Sequence, residues 1–170
     1  MNSNMMLSLL LPALSAVTVN PPTEPAAVVH AVTCDAAPGE YEKQELPLPN
    51  GETVLRAHIR LLQTHPDEVW YPAAGLLFVL PGERRHTGVQ VFVDPSDRAR
   101  LTVGLKKPKD GSPVPISRVS ASEPVEVTTQ FKDGVVTVWT GQKSKSLRLT
   151  DKRIEGAFLM CSSGRFEIAP

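Results

Sequence analysis

An excess of charge of either sign is missing from this sequence: 18 basic side chains meet 18 acidic ones over 170 residues. A balanced chain carries no electrostatic footprint for nucleic acid or for an anionic membrane surface. Cysteine is nearly absent. Cys34 and Cys161 stand alone, which excludes a zinc site of paired Cys and His spacing. Two options remain, one disulfide closing a very long loop or two separately buried thiols. Aromatic residues make up 5% of the chain, with Trp70 and Trp139 the only tryptophans, so the position of each matters. Recognisable catalytic signatures are missing too: there is no Gly-x-Ser-x-Gly elbow, no His-Glu-x-x-His pair and no phosphate loop. Accordingly no catalytic residue, metal site or cofactor is expected.

Long apolar runs are confined to the N-terminus. The stretch Met5 to Val19 is too short to span a bilayer and suits the apolar region of a secretory signal, although no Lys or Arg precedes it. A mis-assigned start or a buried apolar strand would give the same run. The expected organisation is a signal peptide over 1–19, a Pro-rich linker over 20–28 and one domain over 29–170. "AVT" before Cys34 does not fit a lipoprotein cleavage box. The mature domain is then expected to be secreted, periplasmic or extracellular, with no stable insertion into a membrane.

What the chain has in plenty is proline and alternation. Sixteen prolines break helices, and no segment after Val28 shows a helical period of useful length. "GETVLRAHIRLL" puts Leu55, Ala57, Ile59 and Leu61 on one side and Arg56, His58 and Arg60 on the other. "AGLLFVLPG" reads as a central strand covered on both faces. Val89, Val91 and Val93, then Leu101, Val103 and Leu105, point inward from the next two strands. "VEVTTQF", "VVTVWT", "SLRLT", "GAFLMC" and "GRFEIA" follow, each bounded by turn residues. Many short strands at near-regular spacing predict an all-β fold, two antiparallel sheets packed as a sandwich.

The run "VEVTTQFKDGVVTVWTG", then "LRL" and "GAFLMCSSGRFEI", resembles the closing half of a concanavalin A-like lectin/glucanase jelly roll. Laminin G-like domains belong to the same superfamily. "LRAHIRLL" followed by "AGLLFVL" is similar to the paired strands of its opening half. The resemblance covers residues 52 to 168 and implies a two-sheet jelly-roll sandwich. Members include sugar-binding modules, adhesion domains and glycanases, so the fold leaves function open. With no alternating-carboxylate strand, the expected function is a secreted or envelope-associated, non-catalytic module for a carbohydrate or an extracellular surface ligand. The alternative is a carbohydrate-active hydrolase or lyase of the same fold. Jelly rolls often bring their first and last strands side by side, which would put Cys34 within reach of Cys161.

The glucanase branch alternates carboxylates along one strand, because period two aims acid and nucleophile at the same side. The nearest stretch here, "EYEKQE" with Glu40, Glu42 and Glu45, lacks the central Asp and reads as a solvated charge run. "DPSD" offers Asp94 and Asp97, an ordinary turn with far fewer oxygens than the six to eight that calcium takes. "GERRH", with Arg84, Arg85 and His86, is either a charged hairpin loop or an anion-binding loop.

The position of Trp139 depends on the turn in "FKDGVV". A two-residue type I′ turn at Asp133-Gly134 pairs Lys132 with Val135 and gathers Val127, Thr129, Phe131, Val136 and Val138 on the core side. A three-residue loop shifts the pairing by one, and every side chain changes face. The apolar areas differ by only about 1–2 kcal/mol. The resemblance favours the first register, since the comparable strand points alternate aliphatics inward. Trp139 then joins Thr128 and Gln130 on the outer face. If Arg56, His58 and Arg60 share that sheet, the six residues form a candidate face for a polysaccharide or glycan, best for an acidic or sulfated one. The competing readings are a solvated outer face and a Trp139 covered by a loop or by the N-terminal segment.

Overall fold

Alternation in the sequence becomes ten antiparallel strands, and no helix occurs among the described residues. The structure, a computed structural model, describes residues 20–23, 29–48, 53–65, 70–82, 85–109 and 111–170. The expected leader over 1–19, the linker residues 24–28 and Arg84 lie outside them. In chain order the strands are β1 (Val32–Leu46), β2 (Thr53–Thr64), β3 (Ala73–Val79), β4 (His86–Asp94), β5 (Asp97–Lys106), β6 (Val114–Ser120), β7 (Val125–Lys132), β8 (Val135–Thr140), β9 (Lys143–Arg148) and β10 (Gly156–Ala169).

Two layers face each other. They are joined into one hydrogen-bonded path, β6-β5-β4-β3-β10-β2-β7-β8-β9, with β1 beside β10. β10 passes through both layers. Its first half pairs with β3 and with the second half of β1; its second half pairs with β2 and with the first half of β1. The change of layer occurs at Ser163, whose φ of 45° is left-handed. Before it the odd residues Ala157, Leu159 and Cys161 point into the core; after it the even residues Phe166 and Ile168 do. An inserted residue that reverses face in this way is a β-bulge. Ser163 keeps its buried polar groups satisfied, the hydroxyl accepting from Gly39 N–H at 3.1 Å and the carbonyl from His65 N–H at 2.9 Å.

The inner faces meet in one continuous core. Leu55, Ala57 and Ile59 of β2, and Val89, Val91 and Val93 of β4, are buried there as their alternation predicts. Phe78 of the first layer tilts against Phe131 of the second, with ring centroids 6.2 Å apart. Cys34 and Cys161, both core-facing, are joined by a disulfide with Cα atoms 6.0 Å apart. Cys34 lies in the half of β1 that belongs to the second layer, and Cys161 in the half of β10 that belongs to the first. The bridge therefore staples the layers through the core.

The Asp133-Gly134 turn takes the two-residue form. Both residues have positive φ, 50° and 74°, as a type I′ turn requires, and Lys132 pairs with Val135 and Phe131 with Val136. "DPSD" is a turn as well. Asp94 is buried and accepts from the Ser96 hydroxyl and amide at 2.6 and 2.9 Å, from Arg118 Nε at 2.9 Å and from Thr102 Oγ1 at 3.4 Å. The Ser96 donors, then the Arg118 guanidinium, hold its carboxyl below the usual carboxylate range. Its oxygens are committed to the turn rather than to an ion.

Candidate functional site

The face expected to bind a ligand assembles in register but is closed. Arg56, Thr128, Trp139 and Ser144 lie directly opposite one another across β2, β7, β8 and β9. Trp139 is 4% exposed and Thr128 3% exposed, so neither offers a surface on which a sugar could stack. Pro22 lies against this side, where Arg56 Nη2 donates to its carbonyl at 2.8 Å and Nε to Thr128 Oγ1 at 3.4 Å. Arg56 is thus occupied within the chain. His58 is exposed with Nδ1 3.0 Å from the Pro170 carbonyl, Arg60 is exposed opposite Glu167, and Gln130 is half-buried. The six residues share one side of one sheet, as the alternation predicts, but they do not form an open aromatic platform. The pleat decides which side Trp139 takes; it says nothing about what else packs on that side.

A cleft of about 1080 Å³ opens on the outer side of the other layer. Ladder register builds it row by row. Glu45 of β1, Phe158 of β10, Leu77 of β3, Gly88 of β4 and Lys106 of β5 lie directly opposite one another. The next row, one pleat along, is Lys43, Met160, Gly75, Gln90 and Gly104. Gln90 therefore has glycine on both sides and Gly88 two residues away on its own strand. All three glycines are closely approached: a Cβ at Gly75 or Gly88 would meet the backbone of the neighbouring strand, and one at Gly104 the Pro113 side chain. Gly88 cannot be replaced without strain: its φ is 146°, and a Cβ there would collide with the Leu76 carbonyl.

Aromatic rings stand around this floor. Among the described residues four large apolar side chains are exposed, and three of them, Tyr41 (60%), Trp70 (49%) and Tyr71 (55%), line the cleft. Tyr41 belongs to β1, and the backbone at Tyr71 and Pro72 is anchored. Ser162, opposite Tyr41 in the ladder, donates its hydroxyl to the Tyr71 carbonyl at 3.4 Å, and Val93 N–H donates to the Pro72 carbonyl at 2.9 Å. Exposed rings on fixed backbone are preorganised for contact with a ligand.

His86 belongs to the same cleft. Its ring meets Phe158 edge to face at 5.0 Å, and Lys43 Nζ lies over that same Phe158 ring at 6.0 Å. Partial burial, then the neighbouring ammonium groups of Lys43 and Lys106, push the imidazole pKa down. The imidazole is accordingly neutral at pH 7, able to donate and accept. Titration followed by NMR is expected to place it below the ordinary 6.5, and Lys43→Met should raise it by removing one of the repelling charges. A midpoint unmoved by Lys43→Met would mean that the lysine is too far away to matter.

The stretch "EYEKQE" thus contributes by a different pattern from the one its carboxylates suggest. Tyr41, Lys43 and Glu45 alternate toward the cleft, while Glu42 sits opposite Cys161 on the other side of the strand. Likewise "HTGVQV" points its valines inward and presents His86, Gly88 and Gln90 outward. Period two, read for the polar positions, is the signal that finds both. Of the described residues of "GERRH", Arg85 pairs with Asp151 at 2.8 Å and donates to the Pro81 carbonyl at 3.0 Å, while His86 lines the cleft.

No protein-family profile and no curated protein matches the chain. Solved structures do match in fold. The carbohydrate binding module CBM66 from Bacillus subtilis superposes with a TM-score of 0.54 at 7% identity, over 81% of this chain and 82% of that one. A beta-glucanase of Bacillus licheniformis gives 0.48 at 6% identity, over 81% and 74%. At such identity the likeness shows architecture alone, and together with the all-β, two-layer topology it establishes a concanavalin A-like jelly roll.

Proposed function

We propose that the protein is a carbohydrate-binding module that seats its glycan in the cleft between β1 and β5. The observation that carries this reading is the convergence of three exposed aromatic side chains, Tyr41, Trp70 and Tyr71, on one cleft whose lining includes Gln90, His86 and Phe158. Aromatic faces suit the C–H surfaces of pyranose rings, while Gln90 and His86 supply directional hydrogen bonds from the floor. The fold likeness to a carbohydrate binding module supports the same reading. Export to an oxidising compartment fits the apolar N-terminus and the Cys34–Cys161 bridge.

A second reading, a glycan hydrolase or lyase, draws on one feature: a neutral imidazole beside Glu45, Glu155 and Tyr41 is a proton acceptor at working pH. One experiment addresses both. A glycan array on the purified protein is expected to return a defined set of ligands, and replacing Trp70 and Tyr71 together by Ala should abolish their retention. Release of reducing ends from a retained glycan, lost in His86→Ala, would favour the enzyme. Retention that ignores Trp70 and Tyr71 would sink the cleft as the binding site.

A further inference from the structure

We propose that the cleft takes an anionic sugar unit, a sulfate ester or a uronate carboxylate, held between Lys43 and Lys106 beside His86. This rests on the cleft being the glycan site and specifies what the glycan carries.

Counted over its lining, the cleft is electrically balanced, with Lys43 and Lys106 against Glu45 and Glu155. The local arrangement is not balanced. Lys43 and His86 lean on the same Phe158 ring from β1 and β4. Lys106 of β5 lies directly opposite Gly88 and lines the same cleft. Among the described residues, the charges that act on the imidazole are both positive, the ammonium groups of Lys43 and Lys106.

Neither lysine spends its charge elsewhere. Among the described residues the ion pairs join His65 and Arg165 to Asp35, Arg85 to Asp151, Arg100 to Asp97 and Arg118 to Asp94, and none involves Lys43 or Lys106. Lys106 Nζ gives one of its three protons to the Gly111 carbonyl at 3.2 Å, which leaves two donors. Lys43 is placed by the Phe158 ring rather than by an acid. Two ammonium groups that line one cleft and both act on one neutral imidazole are complementary to a tetrahedral or planar oxyanion.

The test uses the full chain and a matched pair of probes, dextran and dextran sulfate, with oligogalacturonate as the carboxylate probe. At least one anionic probe should bind ten times more tightly than dextran, and Lys43→Ala or Lys106→Ala should each weaken it by about tenfold. Either substitution should flatten the dependence of its affinity on salt, while Lys43→Arg restores most of the binding. The anionic probe that binds identifies the group, sulfate or carboxylate. Equal binding of neutral and anionic probes, or lysine variants that keep both affinity and salt slope, would overturn the anionic site. If Trp70→Ala still weakens the neutral probe in that case, the cleft survives as the glycan site. Indifference of every probe to Trp70 and to the lysines removes both.

Discussion

Opening the Cys34–Cys161 bridge is expected to remove about 3–5 kcal/mol of stability, the range for a native disulfide closing a long loop. The two residues are 127 apart in sequence. The unfolded chain therefore gains nearly the whole domain's conformational freedom when the link is cut. The native state loses as well, because both sulfurs are buried in the inter-layer core. With only two cysteines in the chain, no second side-chain cross-link ties the layers together. Urea unfolding with and without reductant, repeated on Cys34→Ala/Cys161→Ala, measures this directly. The midpoint should fall far enough to correspond to about 10–15 °C in melting temperature. Coincident curves would mean that the bridge contributes nothing to the layer packing. Glu42 approaches the two sulfurs, but joined sulfurs offer no thiolate to a metal, and the triplet is a by-product of the ladder.

Trp139→Ala should cost about 3–5 kcal/mol, as for other buried large-to-small replacements, while Trp70→Ala should fall within about 0.5 kcal/mol of wild type. The contrast follows from 4% against 49% exposure for two residues of the same type. Trp139 is buried outside the core cluster, so its removal opens a void on the outer side of β8, beside the Arg56–Pro22 contact. Single-tryptophan proteins give an independent readout. With Trp139→Phe, the remaining Trp70 should be quenched readily by iodide; with Trp70→Phe, the remaining Trp139 should resist. Free quenching of Trp139, together with an unchanged melting temperature for Trp139→Ala, would restore the outer face as a ligand surface.

Strands flanked on both sides by partners were legible from alternation alone. Leu55, Ala57 and Ile59 alternate with Arg56 and His58, and Val89 and Val91 flank Gln90, so burial contrast maps directly onto the pleat. The Asp133-Gly134 register was legible for the same reason, helped by a dipeptide that accepts two positive φ values. Two things were not. The second half of β1 is a sheet edge exposed on both sides, so Tyr41, Lys43 and Glu45 show no contrast with Glu42 and Gln44, and the segment looks like a charged loop. The cleft itself is set by register among strands far apart in the chain: Lys43, Met160, Gly75 and Gln90 become neighbours only when β1, β10, β3 and β4 pair. The covering of Trp139 is a contact of the same long-range kind.

The central claim is that glycan enters the cleft above Phe158 and not the side that carries Trp139. The most direct measurement is a map of backbone amide shifts in labelled protein titrated with the soluble form of a glycan retained on the array. The perturbed amides should cluster at Tyr41 to Glu45, Trp70 to Val79, His86 to Gln90 and Gly156 to Met160, with those of Val54 to Arg60 and Thr137 to Thr140 unmoved. Shifts confined to the second group, with the cleft silent, would contradict the account.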